Sequence, residues 1–146
     1  MTLGDEKIEN NGDKKSLAWR IKLFLGSKIS QEKKEFFRKP IVYWLVISGL
    51  LANTVNWAVL SFLIKQEVSD IILHYNVYFG VDAAGEPQKT YIMPLTGLVL
   101  FFINLFLAAE FYSKRERIAS YLMLAAALMI QLSLLIASAS VVIINY

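Results

Sequence analysis

The sequence predicts an all-α membrane protein: three transmembrane helices, an N-terminal amphipathic helix and a small extracytoplasmic β-hairpin. Three observations carry this reading. Apolar runs at about 41–64, 91–112 and 118–144 contain no Lys, Arg or Asp, and their only acid is Glu110. Basic residues are strongly asymmetric along the chain. The segment between the first two runs has strand-like patterning instead of the polar composition of a plain linker.

The runs come first because hydrocarbon thickness fixes their meaning. Crossing a core of about 30 Å at about 1.5 Å per residue takes about 20 residues, and each run is long enough. The last has length to spare, which tilt absorbs. The first run begins after 40 mostly polar residues and lacks a small-residue cleavage pattern, so it reads as a span and not as a signal peptide. Ten Lys/Arg lie in residues 1–40, and Lys114, Arg115 and Arg117 flank the second link. The connector 65–90 has only Lys65 and Lys89 against Glu67, Asp70, Asp82 and Glu86. The positive-inside rule then puts the N-terminus and the second link in the cytoplasm. The connector and the C-terminus fall outside, and the expected location is the plasma (inner) membrane.

Three regions follow. Residues 1–16 are polar and mixed in charge and read as a disordered cytoplasmic tail. Residues 17–39 read as a cytoplasmic or interfacial helical segment, broken near Gly26-Ser27 and restarted with Ser30 as cap. In its first half Leu17, Ala18, Ile21, Phe24 and Leu25 share a face flanked by Arg20 and Lys22, the pattern of a helix on anionic lipid headgroups. Residues 40–146 form the three-span domain, with Pro40 and Pro94 in first turns, where proline is tolerated. Tyr43, Trp44, Tyr91, Phe111, Tyr112, Tyr121 and Tyr146 sit at expected interfacial belts.

Polar residues inside the spans are the first candidate contacts: Asn53, Asn56, Asn104 and Gln131. At about 1.5 Å per residue, Asn53 lies roughly 18 Å and Gln131 roughly 20 Å from the cytoplasmic ends, so the two are placed to meet. Asn104, at about 12 Å, falls about one turn lower. Amides in lipid need partners, so interhelical pairing is the expected use, and a polar path for a solute is the alternative. Small residues at Gly49-x-x-x-Asn53, Ser48-x-x-x-Ala52 and Ser133-x-x-x-Ala137 permit close helix approach. Glu110 precedes Lys114 by four residues, the order that favours a surface ion pair.

The connector supplies the second set: His74, Asn76, Asp82 and Glu86. Ile71, Leu73, Tyr75, Val77 and Phe79 alternate with a more polar set, as in a strand with one covered face. Asp82 to Gly85 has the residue preferences of a type I turn, which predicts a hairpin at about 70–90 turning there. The chain has no cysteine, so no disulfide or thiolate site is available. No nucleophile–base arrangement or phosphate loop is evident. The reading is therefore non-enzymatic, with no cofactor, metal or nucleic acid, and with the lipid bilayer plus a membrane-protein partner or a second copy as contacts.

The residues His74, Tyr75, Asn76, Gly85, Glu86, Pro87, Lys89 and Pro94 stand in an order that resembles small bacterial integral membrane proteins of unknown function. More loosely, residues 65–105 are similar to the first loop of the SdpI-type immunity family. There a His-aromatic-Asn element precedes Gly-x-Pro, a basic residue and a proline-initiated helix. The resemblance implies a recurrent two-span unit and a toxin-immunity role. That role joins a minimal transporter with a polar intramembrane cavity as the alternative to action by contact with a partner protein or envelope component.

Overall fold

The structure, a computed structural model, describes residues 26, 31–65 and 69–146. The expected tail at 1–16 and the amphipathic stripe at 17–25 lie outside the described residues. Gly26 is itself helical where a break was expected. Residues 31–38 are helical and lead into three long helices, α1 (Pro40–Leu63), α2 (Ile92–Ser113) and α3 (Arg117–Asn145). All three are long and apolar enough to cross a membrane. Between α1 and α2 stands an antiparallel hairpin, β1 (Ile71–Asn76) and β2 (Gly80–Gly85), followed by a 3-10 turn at Pro87–Tyr91.

Local chemistry explains the boundaries. Pro40 opens α1, where its missing N–H leaves no gap in the helix ladder and its fixed φ suits the first turn. α1 stops as Ile64 turns extended (φ −88°, ψ 121°). The link from α2 to α3 is a Schellman closure: Arg115 N donates to Tyr112 O (3.0 Å) and Glu116 N to Phe111 O (3.0 Å). This places Arg115 at φ 67°, a conformation glycine adopts freely and arginine does not.

α3 packs along both other helices, which touch each other much less. At one end of the bundle Phe36, Val42, Ala108, Ala109, Tyr112 and Leu124 form an apolar cluster. Tyr112, assigned to an interfacial belt by sequence, is thus a core residue, and its ring stacks obliquely on Phe36 at 5.3 Å. At the other end Leu60, Ile64, Ile71, Val141 and Val142 form a second cluster under the hairpin. Gly49 lets α1 approach α2, since a Cβ there would lie 2.6 Å from the Phe101 ring. The outward surface is apolar, with Leu51, Phe62, Phe102, Phe106, Met129, Ile136 and Ile143 exposed.

The helix docked by Phe36 is fixed a second way. Lys33 Nζ lies 2.9 Å from Glu110 Oε2, so Glu110 pairs across 77 residues instead of with Lys114. Lys114 follows the last turn of α2 into the Schellman link and is exposed. Over residues 31–38 the helix therefore packs on protein.

Candidate functional site: a buried amide layer and a clamped hairpin

Between the two apolar clusters runs a polar layer. Asn53 on α1 donates through Nδ2 to Gln131 Oε1 on α3 (3.0 Å) and to Pro94 O on α2 (2.8 Å). Gln131 Nε2 donates to Gly97 O (2.6 Å). One amide pair thus ties all three helices and grips the first turns of α2 at two carbonyls three residues apart. Gly97 makes the approach possible: a Cβ would lie 2.8 Å from Gln131 Oε1 and 2.9 Å from Leu134 Cδ1. The meeting of Asn53 and Gln131 is the arrangement expected from sequence.

Asn104 does not join them. Gly97 is the α2 residue at the level of the pair, and Asn104 lies seven residues on, about 10 Å lower at 1.5 Å per residue. Its Nδ2 instead donates to Leu100 O of its own helix (2.9 Å). Asn56 is different again. It is 0% exposed, and among the described residues neither Nδ2 nor Oδ1 has a hydrogen-bond partner. Further along, Ser138 Oγ lies 3.4 Å from Met93 Sδ, and Ser120 Oγ donates to Ala108 O (2.7 Å) beside the tight link. Ser133 and Ser140 are exposed and bond the carbonyls of Met129 and Ile136, four residues back.

The hairpin turns earlier than Asp82–Gly85. That tetrapeptide lies in β2, and Val77 to Phe79 form the turn. Asn76 Oδ1 accepts from Tyr78 N (2.9 Å), and Gly80 takes φ +84°. An asparagine closing the backbone two residues on, followed by a glycine in the left-handed region, makes a three-residue hairpin loop. Asp-Ala-Ala-Gly only matches residue preferences. Register irregularities lie between Ile72 and His74 and between His74 and Tyr75, so the alternation does not keep one covered face. Ile71 is buried and Leu73 partly so, but Tyr75 is half exposed and Val77 and Phe79 almost fully exposed. The expected return through Glu86-Pro87 is a 3-10 turn, with Glu86 exposed and its carbonyl accepting from Lys89 N (3.0 Å).

His74 Nδ1 and Asp82 Oδ2 are 3.2 Å apart across the strands, both solvent-accessible. Among the described residues no group of three His, Cys, Asp or Glu is placed to hold a metal ion. Sequence reasoning missed the residue that fixes the hairpin. Asn145, in the last turn of α3, accepts from Ile72 N (2.8 Å) and donates to Ile72 O (2.7 Å), pairing with β1 as a strand residue would. The available signal was an amide side chain at the end of an apolar span. Trp57 stacks on Tyr91 at 5.4 Å and 16°, packing the 3-10 turn against α1.

No protein-family model, no curated protein and no solved structure matches the chain.

Proposed function

We propose that the protein is a non-enzymatic three-span protein of the plasma (inner) membrane that acts by contact with a partner protein or envelope component. The basic end of the bundle faces the cytoplasm, and the hairpin and C-terminus lie outside. The charge asymmetry supports this orientation: Arg38, Lys39, Lys114, Arg115 and Arg117 are all exposed at one end, suited to anionic lipid headgroups. The observation that carries the contact reading is the hairpin itself. It is tied to α3 by two hydrogen bonds and presents an apolar tip away from the bundle. A loop serving only to join α1 to α2 needs neither feature. The test is photo-crosslinking in cells from Val77 and from Ala137, followed by native-detergent purification. Discrete adducts support the reading; recovery only as an uncrosslinked monomer overturns it.

A second reading, a minimal transporter or toxin-immunity protein with a polar cavity, is favoured by one observation, the unpartnered Asn56. Substituting Asn53, Asn104 and Gln131 together by Leu distinguishes the two. Lost activity in a folded protein supports the cavity, and failed assembly supports amides that hold helices together.

A further inference from the structure

We propose that the charge-free hairpin tip, Tyr75 to Val81, seats in the phospholipid interface of the leaflet on its own side of the membrane. This rests on reading the hairpin as the contact element and names what it contacts. Val77, Tyr78 and Phe79 are 84%, 90% and 84% exposed. No charge lies between His74 and Asp82, which pair with each other and mark the border between a polar stem and an apolar tip. The Asn76–Tyr78 turn and Gly80 hold the tip in shape, so its rings cannot fold back on the stem.

Area favours lipid over a protein partner. The two rings offer about 150–250 Å² each, about 400 Å² together. A stable protein interface needs roughly 800 Å² per partner. A bilayer interface needs no complementary shape and accepts a tyrosine with its ring in apolar surroundings and its hydroxyl in water. The base of the hairpin is anchored at the helix ends, where buried Ile71 clusters with Ile64, Val141 and Val142. Reach is sufficient. The 29 residues of α3 measure about 43 Å, so a centred helix overhangs a core of about 30 Å by roughly 7 Å at each end. From the clamp at Ile72 to Tyr78 the hairpin extends about 20 Å at 3.3 Å per residue.

The chain has no cysteine, so one introduced thiol gives an unambiguous label. Full-length F79C and, as a stem control, A83C are labelled with an environment-sensitive fluorophore. Both are reconstituted in phosphatidylcholine–phosphatidylglycerol vesicles. The tip label loses most of its emission to lipids carrying a nitroxide near the headgroup and little to aqueous iodide, while the stem label does the reverse. Adding Tyr78→Asp makes the tip label behave like the stem label. A tip label quenched by iodide as readily as the stem overturns the proposal. So does a tip shielded from both quenchers, which identifies a protein contact and leaves the contact reading standing. Failure of the contact reading itself shows separately: a tip seated in lipid yields phospholipid adducts from Val77, so a chain with neither lipid nor protein adducts from Val77 and none from Ala137 fails that reading whatever the quenching shows.

Discussion

Asn53 and Asn56 are both buried, three residues apart on one face of α1, yet leucine at each position shifts stability in opposite directions. Asn53→Leu deletes the bonds to Pro94 O and Gln131 Oε1 and leaves the Gln131 oxygen facing hydrocarbon. Interhelical bonds in membranes contribute about 0.6 kcal/mol on average and about 1.7 at most, so two give a loss of about 1–3 kcal/mol. Asn56→Leu deletes two polar atoms that have no partner among the described residues. Unsatisfied buried polar groups cost about 1–3 kcal/mol, and leucine nearly matches asparagine in shape, so the expected gain is about 1–2 kcal/mol. Thermal unfolding in a mild detergent, followed by tryptophan fluorescence and by the monodisperse gel-filtration fraction, reads both changes. On the scale of small domains each corresponds to a shift of a few degrees, one down and one up. If Asn56→Leu destabilises as much as Asn53→Leu, the reasoning fails. Asn56 then satisfies its amide with something outside the polypeptide, and the polar-cavity reading gains a second supporting observation.

Three further outcomes are expected. Gly97→Ala forces a methyl against Gln131 Oε1 and Leu134 Cδ1 and lowers thermal stability by about 1–3 kcal/mol, measured in the same assay. Arg115→Gly relieves a left-handed non-glycine residue and raises stability by about 1 kcal/mol in the same assay. Asn145→Ala removes the hairpin clamp while leaving the bundle folded; hydrogen exchange at the Ile72 amide accelerates roughly tenfold, corresponding to about 1.4 kcal/mol, with the α2 amides unchanged.

Physical constraint decided what was legible in the sequence. Span limits fell within about a residue of the helices because hydrocarbon thickness leaves little choice of length. The meeting of Asn53 and Gln131 was legible because helical rise is constant and both lie on helices running the same way. Counting from assumed helix ends placed Asn104 about one turn below the pair, and it lies below it by about two turns. There its amide bonds the Leu100 carbonyl of its own helix. Glu110 shows the limit of short windows. Lys114 is the partner visible four residues away, whereas Lys33 is brought in by Phe36 docking on Tyr112. The hairpin was legible as a hairpin but not in its turn, its covered face or its return: Asp82 to Gly85 matches residue preferences only, whereas Asn76 supplies the bond to Tyr78 N and Gly80 the left-handed backbone that close the loop.

The two ends of the bundle are built on one plan, and that bears on where contact occurs. At each end an appended element is held by one buried apolar anchor and one polar residue pair across long sequence separation. At the basic end these are Phe36 and Lys33–Glu110; at the hairpin end, Ile71 and Asn145–Ile72. Between them the buried polar residues, Asn53, Asn56, Thr90, Ser120, Gln131 and Ser138, are all neutral. Neutral amides and hydroxyls hold helices together and carry no proton relay, whose usual members are ionisable. Most of that interior is already hydrogen-bonded within the protein, which supports the proposed reading of the bundle as a platform for its two ends. The basic end is charged and the hairpin end is apolar at its tip, so on the reading proposed above attraction to headgroups would hold one and burial in lipid the other. If both faces are held as proposed, freeing the hairpin from α3 by Asn145→Ala, which leaves the buried cluster of Leu60, Val141 and Val142 intact, should lower the quenching of the tip label by lipid nitroxide while the bundle stays folded.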